Sequence, residues 1–313
     1  DPKILEINPA EGTGIVHIAP GAGTEDFRLG TKEKLSVIEE IDEMGIFLEG
    51  FEFLSGLHVS EASKKILEDL EDRRLAFKIA DYKHRYPTCW RCKTELVWRV
   101  VDEWYISMDR ADDSGKTYRE QMVEVAKKIN WIPKWGLDRE LDWLKTMHDW
   151  LISKKRYWGL ALPVWECKNC GNFEVIGSKA ELKEKAVEGW EDFEGNSPHR
   201  PWVDQIKIKC TKCSQTTSRI PDVGNPWLDA GIVPFSTVPP DWFPADFITE
   251  AFPGQFKNWF YSMIAMSTAL RGTNPFKNLL GHASVVDEKG EEMHKSKGNA
   301  IEFNEAAEKI GVD

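Results

Sequence analysis

Near the end of the chain, Lys295-Ser296-Lys297-Gly298-Asn299 packs two ammonium groups, a hydroxyl and a glycine into five residues. Such a group suits phosphate, because fixed positive charge offsets the negative charge that phosphoryl-type transfer spreads over its oxygens. A solvated turn between a hairpin and a helix also reads from these residues. The second chemical signal is thiol spacing. All six cysteines fall in C-x-x-C pairs, Cys89/Cys92, Cys167/Cys170 and Cys210/Cys213. Disulfide frameworks rarely space every cysteine this way, whereas zinc knuckles do. Cys167/Cys170 and Cys210/Cys213 together supply four thiolates for a structural Zn2+, which leaves no open position for a substrate. The long loop between them is tolerable because closure entropy grows slowly with length. Cys89/Cys92 has no second pair in this chain. A further segment, or His84, would have to complete it.

Certain elements must position these groups. Residues 15–19 are an apolar run that predicts a strand leading into a Gly-rich turn with Glu25 and Asp26. Helical spacing covers 31–45 and stops at Gly45. It returns over 60–76, with Ile66, Leu67 and Leu70 on one face. Together these predict a small α/β unit ending near "YKHRYP". Residues 115–155 read as mostly helical, and "YWGLALPVW" as a short buried strand running into Cys167. Ser178 and Glu181 form a capping box for a short helix, so the two later cysteine pairs bracket an insertion. Beyond Cys213 come a strand around "DFITEA", a helix "GQFKNWFYSMIAMSTAL", a strand and turn "NPFKNLLGHASVVDEKG", and the start of a final helix. Alternating strands and helices predict a parallel α/β sheet from about residue 150 on.

A length of 313 residues predicts two or three domains. A net charge of −11 excludes nucleic-acid binding through bulk charge, but leaves a local basic face such as Lys154-Lys155-Arg156. The 14 tryptophans concentrate around residues 90–165, a density that suggests aromatic packing against extended surfaces or ligands. With no run of eighteen apolar residues and no signal-peptide pattern, the expectation is a soluble, cytoplasmic protein with no membrane partner and reduced thiols. The chain opens on Asp1 without an initiator Met, and reads as a piece of something longer.

In order along the chain, "GTGIVHIAPGAGTEDF", "YPTCWRC", "DWLISKKRYWG", "NPWLDAG", "GQFKNWFYS" and "EMHKSKGN" resemble the motifs of class I aminoacyl-tRNA synthetases. The resemblance covers essentially the whole chain, and is stronger to the isoleucine-specific branch than to the valine and leucine branches. It implies an α/β fold: the second half of a Rossmann-type catalytic domain with a zinc-ribbon insertion, plus part of an editing domain. Residues 1–85 would be the C-terminal part of the editing (connective peptide) domain, and 86–150 a linker with a C-x-x-C pair and helices. Residues 151–290 would be the catalytic half with its zinc-binding insertion at 165–215, and 291–313 a KMSKS-like loop and the start of a helical domain. The HIGH tetrad and the threonine-rich editing segment do not occur. The resemblance is therefore to an internal fragment that needs a missing N-terminal half and is inactive alone.

For the complete enzyme the resemblance implies activation of isoleucine with ATP and its Mg2+, transfer to tRNA(Ile), and hydrolytic editing of mischarged valine. Residues 292–296, "EMHKS", take the KMSKS position, with Lys295 and Ser296 catalytic and Glu292 and His294 replacing a lysine and a serine. The Glu292 carboxylate is compatible with phosphate if it points away or pairs with Lys289. His282 and Lys295 match ATP-binding positions. Glu250, Gln255 and Trp259 match the amino-acid site, with one residue more than usual ahead of Gln255. Trp227 and Asp229 resemble a turn near the catalytic cleft. His17 and Asp26 match the editing site. Two other readings stand beside this one: a valine- or leucine-specific sibling, and a non-catalytic zinc-ribbon module, derived from a synthetase, that binds RNA or a partner.

Overall fold

The computed structural model describes residues 14–89 and 92–311, which leaves Trp90 and Arg91 of the "CWRC" motif outside the described residues. Two compact units span Asp1–Asp102 and Glu103–Asp313. Their division falls inside the segment 86–150 that the sequence presents as one linker. Among the described residues, no helix is long and apolar enough to cross a membrane.

The described residues of the first unit form helices and isolated bridges, and no sheet of the expected small α/β unit occurs among them. Residues 15–19 carry no strand pairing. Ile15 is 87% exposed, and among the described residues no strand edge is paired with 15–19. Its amide at Ala19 is held by the Asp26 carboxylate at 2.9 Å instead. The helix expected over 31–45 is replaced by one at Thr24–Glu33. Lys34 adopts a left-handed conformation (φ 56°) and its amide caps the Gly30 and Thr31 carbonyls, which stops the helix. Asp42 then accepts from the Met44 and Ile46 amides at 2.8 and 2.9 Å, an Asx-type turn that folds Ile41 against Phe47. The second helix does form where its spacing places it, at Val59–Asp72, but Ile66 and Leu67 stay exposed and Ala62 is the buried residue.

The second unit is built on a parallel sheet in the order Ala245–Ala251, Phe276–His282, Asn130–Ile132. Parallel neighbours need a crossover, and the helix Trp259–Arg271 provides it between the first two strands. The third strand precedes residue 150, so the sheet starts earlier than the alternation of elements suggests. Met122, Val125, Trp131, Leu144, Phe260, Ile264 and Leu279 are buried in one core, which the helices Tyr118–Ala126, Trp135–Thr146 and Trp259–Arg271 share with the sheet. Residues 147–155 are not helical. Trp150–Leu151 pairs with Tyr105–Ile106, and Ser153–Lys154 pairs with Val223–Gly224, both antiparallel. Large and branched side chains at 150–152 suit that pairing.

One contact fixes the sheet against the helix layer. The Phe252 ring lies directly on Gly281, where an added Cβ would sit 1.8 Å from Cε1, and on Gly136, where it would sit 2.7 Å from Cζ. Gly281→Ala is therefore expected to destabilise the second unit by about 3 kcal/mol, as overpacking in a closed core does. Urea unfolding would measure it, and adding Phe252→Leu to make room should recover part of the loss. Additive losses in the double variant would disprove the contact.

Residues around the later cysteine pairs form a separate five-stranded antiparallel sheet, ordered Phe173–Val175, Val164–Glu166, Thr216–Arg219, Lys207–Lys209, Ala186–Glu188. Its own core holds Trp165, Phe193, Ile206 and Ile208. The helix Lys179–Lys185 starts at Ser178, whose hydroxyl accepts the Glu181 amide at 3.1 Å. The Glu181 carboxylate returns to the Gly177 amide at 2.9 Å, one residue earlier than the capping box expects.

Candidate functional site

Glu250 and His282 both lie at one edge of the sheet, one register step apart and so on opposite faces of it. Glu250 pairs with Gly281 and Ala251 with His282, so both side chains stand at the carboxyl ends of adjacent parallel strands. Open α/β sheets bind ligands at that edge. Glu250 Oε1 accepts from the Ala251 amide at 2.7 Å. His282 is exposed, and its Nδ1 is 2.8 Å from the Ala283 carbonyl. A carbonyl only accepts, so Nδ1 donates in this contact, and in the neutral ring Nε2 is the acceptor. The extra residue before Gln255 is absorbed at Gly254 (φ 89°), a conformation that glycine adopts without strain. Gln255 Oε1 then accepts from the Trp259 amide at 3.2 Å and so closes the first turn of the helix Trp259–Arg271. Trp259 is half-buried, with its ring 6.3 Å from Phe260. Trp227 and Asp229 lie in the first turn of a helix, Pro226–Ser236, and not in an open turn. Asn225 caps that helix by accepting the Trp227 amide at 3.1 Å.

The Lys-rich loop is pinned at its base. Val286 bridges Glu292, and the Asp287 carboxylate accepts from the Lys289 and Glu291 amides at 2.9 Å each. Asn299 closes the loop from the other side. Its amide donates to Asp287 Oδ2 at 2.8 Å while its oxygen accepts the His294 amide at 2.9 Å. Asn299 foremost, with the backbone amides, holds the Asp287 carboxyl below its ordinary range. Between these struts Lys295–Lys297 forms one 3-10 turn ended by Gly298 in the left-handed region, and both lysines are exposed. Glu292 faces His294 at 3.5 Å rather than Lys289. The bracing bonds of Asp287 and Asn299 are what the sequence reading missed. The "DEKG" turn pattern was the available signal.

The four later cysteines converge. Cys167 Sγ lies 3.5 Å from Cys213 Sγ, Cys170 Sγ lies 3.7 Å from Cys210 Sγ, and all four sulfurs fall within 4.8 Å of one another. The two knuckles are built alike. Cys167 and Cys210 donate to the Asn172 and Gln215 carbonyls (2.8 and 2.9 Å), and Gly171 and Ser214 turn through positive φ. The Gln215 backbone and Asn169 hold the Cys213 thiol down to about 6. At Cys170 the Asn172 backbone works in the same sense, but burial and the neighbouring thiols outweigh it and push the group up to about 12.

The remaining candidates do not assemble. Asp26 is half-buried at the first turn of its helix, and His17 is exposed. A groove of about 670 Å³ in the first unit is lined by His58, Tyr82, His84 and Tyr86, and by neither of those two. The His84 ring stacks on Tyr82 at 5.7 Å, and among the described residues no third His, Cys, Asp or Glu joins Cys89 and Cys92. A Thr94 hydroxyl, 3.1 Å from Sγ, leads the contacts that lower Cys92 to about 7.

This edge, loop and insertion sit within a sequence profile that matches residues 24–313, that of the class I tRNA synthetases for isoleucine, leucine, methionine and valine. The chain belongs to this family. Among its relatives, the isoleucine–tRNA ligase of Saccharolobus solfataricus is 39% identical over 310 residues, covering 97% of this chain and 30% of that protein. That of Methanothermobacter thermautotrophicus is 38% identical over 312 residues, covering 97% and 29%. That of Methanocaldococcus jannaschii is 39% identical over 303 residues, covering 96% and 28%. The chain thus spans less than a third of the length of these relatives. A solved LeuRS–tRNA–LeuAMS ternary complex from Agrobacterium radiobacter K84 covers 53% of this chain and 23% of its own, at 21% identity and a TM-score of 0.35.

Proposed function

We propose that this chain is the part of an isoleucine–tRNA ligase that supplies the amino-acid edge and the phosphate loop of the activation site. The observation that carries the reading is the placement of Glu250 and His282 at the carboxyl ends of neighbouring parallel strands, with the lysine loop next in the chain after the strand that ends at His282. In this reading the Glu250 carboxylate holds the isoleucine ammonium. Gln255 and Trp259 shape the wall beside it, and His282 offers Nε2 to the nucleotide. Lys295 and Ser296 would hold the phosphates of the Mg2+-bound ATP as pyrophosphate leaves, because positive charge there is worth most where negative charge develops. The Glu292 carboxylate has the His294 ring as its neighbour, at 3.5 Å, which would offset its charge when that ring is protonated.

Residues 165–215 are proposed as a zinc-bearing insertion. Tetrahedral thiolates about 2.3 Å from Zn2+ lie about 3.8 Å apart, which the paired sulfurs match. The ion would act as a structural staple held by Cys167, Cys170, Cys210 and Cys213. Residues before about 85, with His17 and Asp26, would belong to an editing domain acting on mischarged tRNA(Ile). Cys89/Cys92 would be half of a site completed by another segment.

Isoleucine-dependent pyrophosphate exchange tests the reading. The chain alone is expected to show none. Supplied in trans with the N-terminal half of a relative, it is expected to gain exchange with isoleucine over valine and leucine, and Lys295→Ala should lower that by about 10²-fold or more. Exchange by the chain alone, or silence with the added half, would overturn it.

A further inference from the structure

Outside the activation edge, the segment "KKRYWG" puts two large rings into solvent. After the strand Ser153–Lys154 the Arg156 amide turns back onto the Lys154 carbonyl (2.9 Å), and Tyr157 and Trp158 follow at 54% and 72% exposure. Gly159 then passes so close to Val223, at φ 146°, that a Cβ would meet its side chain at 3.0 Å. The backbone is held down there while the rings remain outside.

The rings are braced. The Arg200 guanidinium lies 4.7 Å over Tyr157, and the His199 ring is 6.2 Å from Trp158. Arg200 Nε donates to Asp204 Oδ2 at 2.8 Å, and Asp204 Oδ1 accepts from Arg219 Nε at 2.8 Å. Arg219 has a fully buried side chain and donates to the Leu162 and Asp222 carbonyls at 3.0 and 2.8 Å. A buried cation is costly unless its hydrogen bonds are satisfied, and these bonds satisfy it while fixing the carboxylate that aims Arg200. Two carboxylates, Asp204 and Asp222, stand among Lys154, Lys155, Arg156, Arg200 and Arg219, with Lys155 on Asp222 at 3.0 Å. Arg219 and Asp222 are buried and Arg200 and Lys155 are ion-paired, so the positive charge beside the rings comes from Lys154 and Arg156.

We infer that this surface binds single-stranded RNA, with unpaired bases stacked on Trp158 and Tyr157 and the phosphates following Arg156 and Lys154. Exposed aromatic faces beside positive charge fit unstacked bases and their backbone, whereas a duplex offers no free base face and an acidic peptide no use for the rings. The inference takes RNA as the partner from the proposed function, and extends it to residues outside the parallel sheet.

The test is titration of the full chain with a short single-stranded RNA carrying 2-aminopurine, whose fluorescence falls on stacking. Quenching on binding is expected. Trp158→Ala should weaken binding about 5- to 100-fold and remove the quenching, and Trp158→Phe should keep most of both. Arg156→Ala should reduce the slope of log affinity against log salt by about one. The side chains are exposed, and circular dichroism of each variant checks folding. Unchanged affinity in Trp158→Ala, or duplex RNA binding as tightly as single strands, overturns the inference. Pyrophosphate exchange needs no RNA, so a failure there would remove the ligase reading and leave this result standing.

Discussion

Removing metal from the four-cysteine site is expected to unfold the five-stranded sheet while the parallel sheet stays folded. The insertion, roughly residues 164–219, has a core of a few buried side chains around Trp165 and Phe193. A core of that size supplies only about 3–5 kcal/mol net, so such modules depend on a staple. The sulfurs all meet at the two knuckles, which join strands far apart in sequence. Metal binding to thiolates contributes apparent free energies of about 10–16 kcal/mol in small zinc modules, well above what this core can supply. Without a cation the four thiols are not equivalent: against the Asn172 backbone, burial and the neighbouring thiols push Cys170 up to about 12, while the Gln215 backbone and Asn169 hold Cys213 down to about 6.

Elemental analysis should find one zinc per chain in protein purified without chelator. Chelation should open 164–219 to proteolysis and hydrogen exchange and leave the region of Phe276–His282 protected. Cys167→Ser should reproduce the chelated state, and Cys89→Ser should leave the zinc count at one. Retention should weaken as pH falls, because protons compete for the thiolates. Protein without zinc, or a chelated insertion as protected as before, would remove the staple.

These features differ in how openly the sequence displayed them. The C-x-x-C spacing makes each knuckle locally, and the two knuckles at 167–170 and 210–213 are the ones that meet, so Cys167 to Cys213 were readable as a set of four. The helix Trp259–Arg271 and the strands on either side of it carried enough regular pattern to place Glu250 and His282. Residues 31–45 carried the helical period too, but the Lys34 cap and the Asp42 turn are local bonds that outbid it. Asn130–Ile132 and Ser153–Lys154 are strands of three and two residues whose partners lie at 278–280 and 223–224. No local window contains such a partner. The Arg219–Asp204–Arg200 brace was hidden for the same reason. Glu140 was hidden differently, since a glutamate in a helical run reads as a solvated residue.

Glu140→Met is expected to raise the stability of the second unit by about 2–4 kcal/mol at pH 8. Glu140 sits in the helix Trp135–Thr146 with no exposed surface, and neither carboxylate oxygen has a partner. Trp143 Nε1 and the Tyr261 hydroxyl are buried without partners as well, and those two rings stand 6.1 Å apart. Burial drives the Glu140 carboxyl well above its ordinary range. Burial is also the main cause raising Tyr261, with Tyr118 and Glu140 adding to it and Arg119 opposing. The folded state therefore keeps a proton on Glu140 that the unfolded chain releases. Its contribution is fully present below about pH 4.3, the unfolded value, and is lost as pH rises toward the folded value, at up to about 1.4 kcal/mol per pH unit. Methionine fills nearly the same volume without the charge or the stranded acceptors, so its advantage should grow with pH. Glu140→Gln should flatten the same slope while keeping the penalty of an unpaired polar group, and the gap between the two variants separates charge from polarity. Urea unfolding of the three proteins from pH 5 to 9 measures this. Parallel stability curves would mean that the carboxyl has a partner or water beside it, and that Glu140 is not a stranded acid.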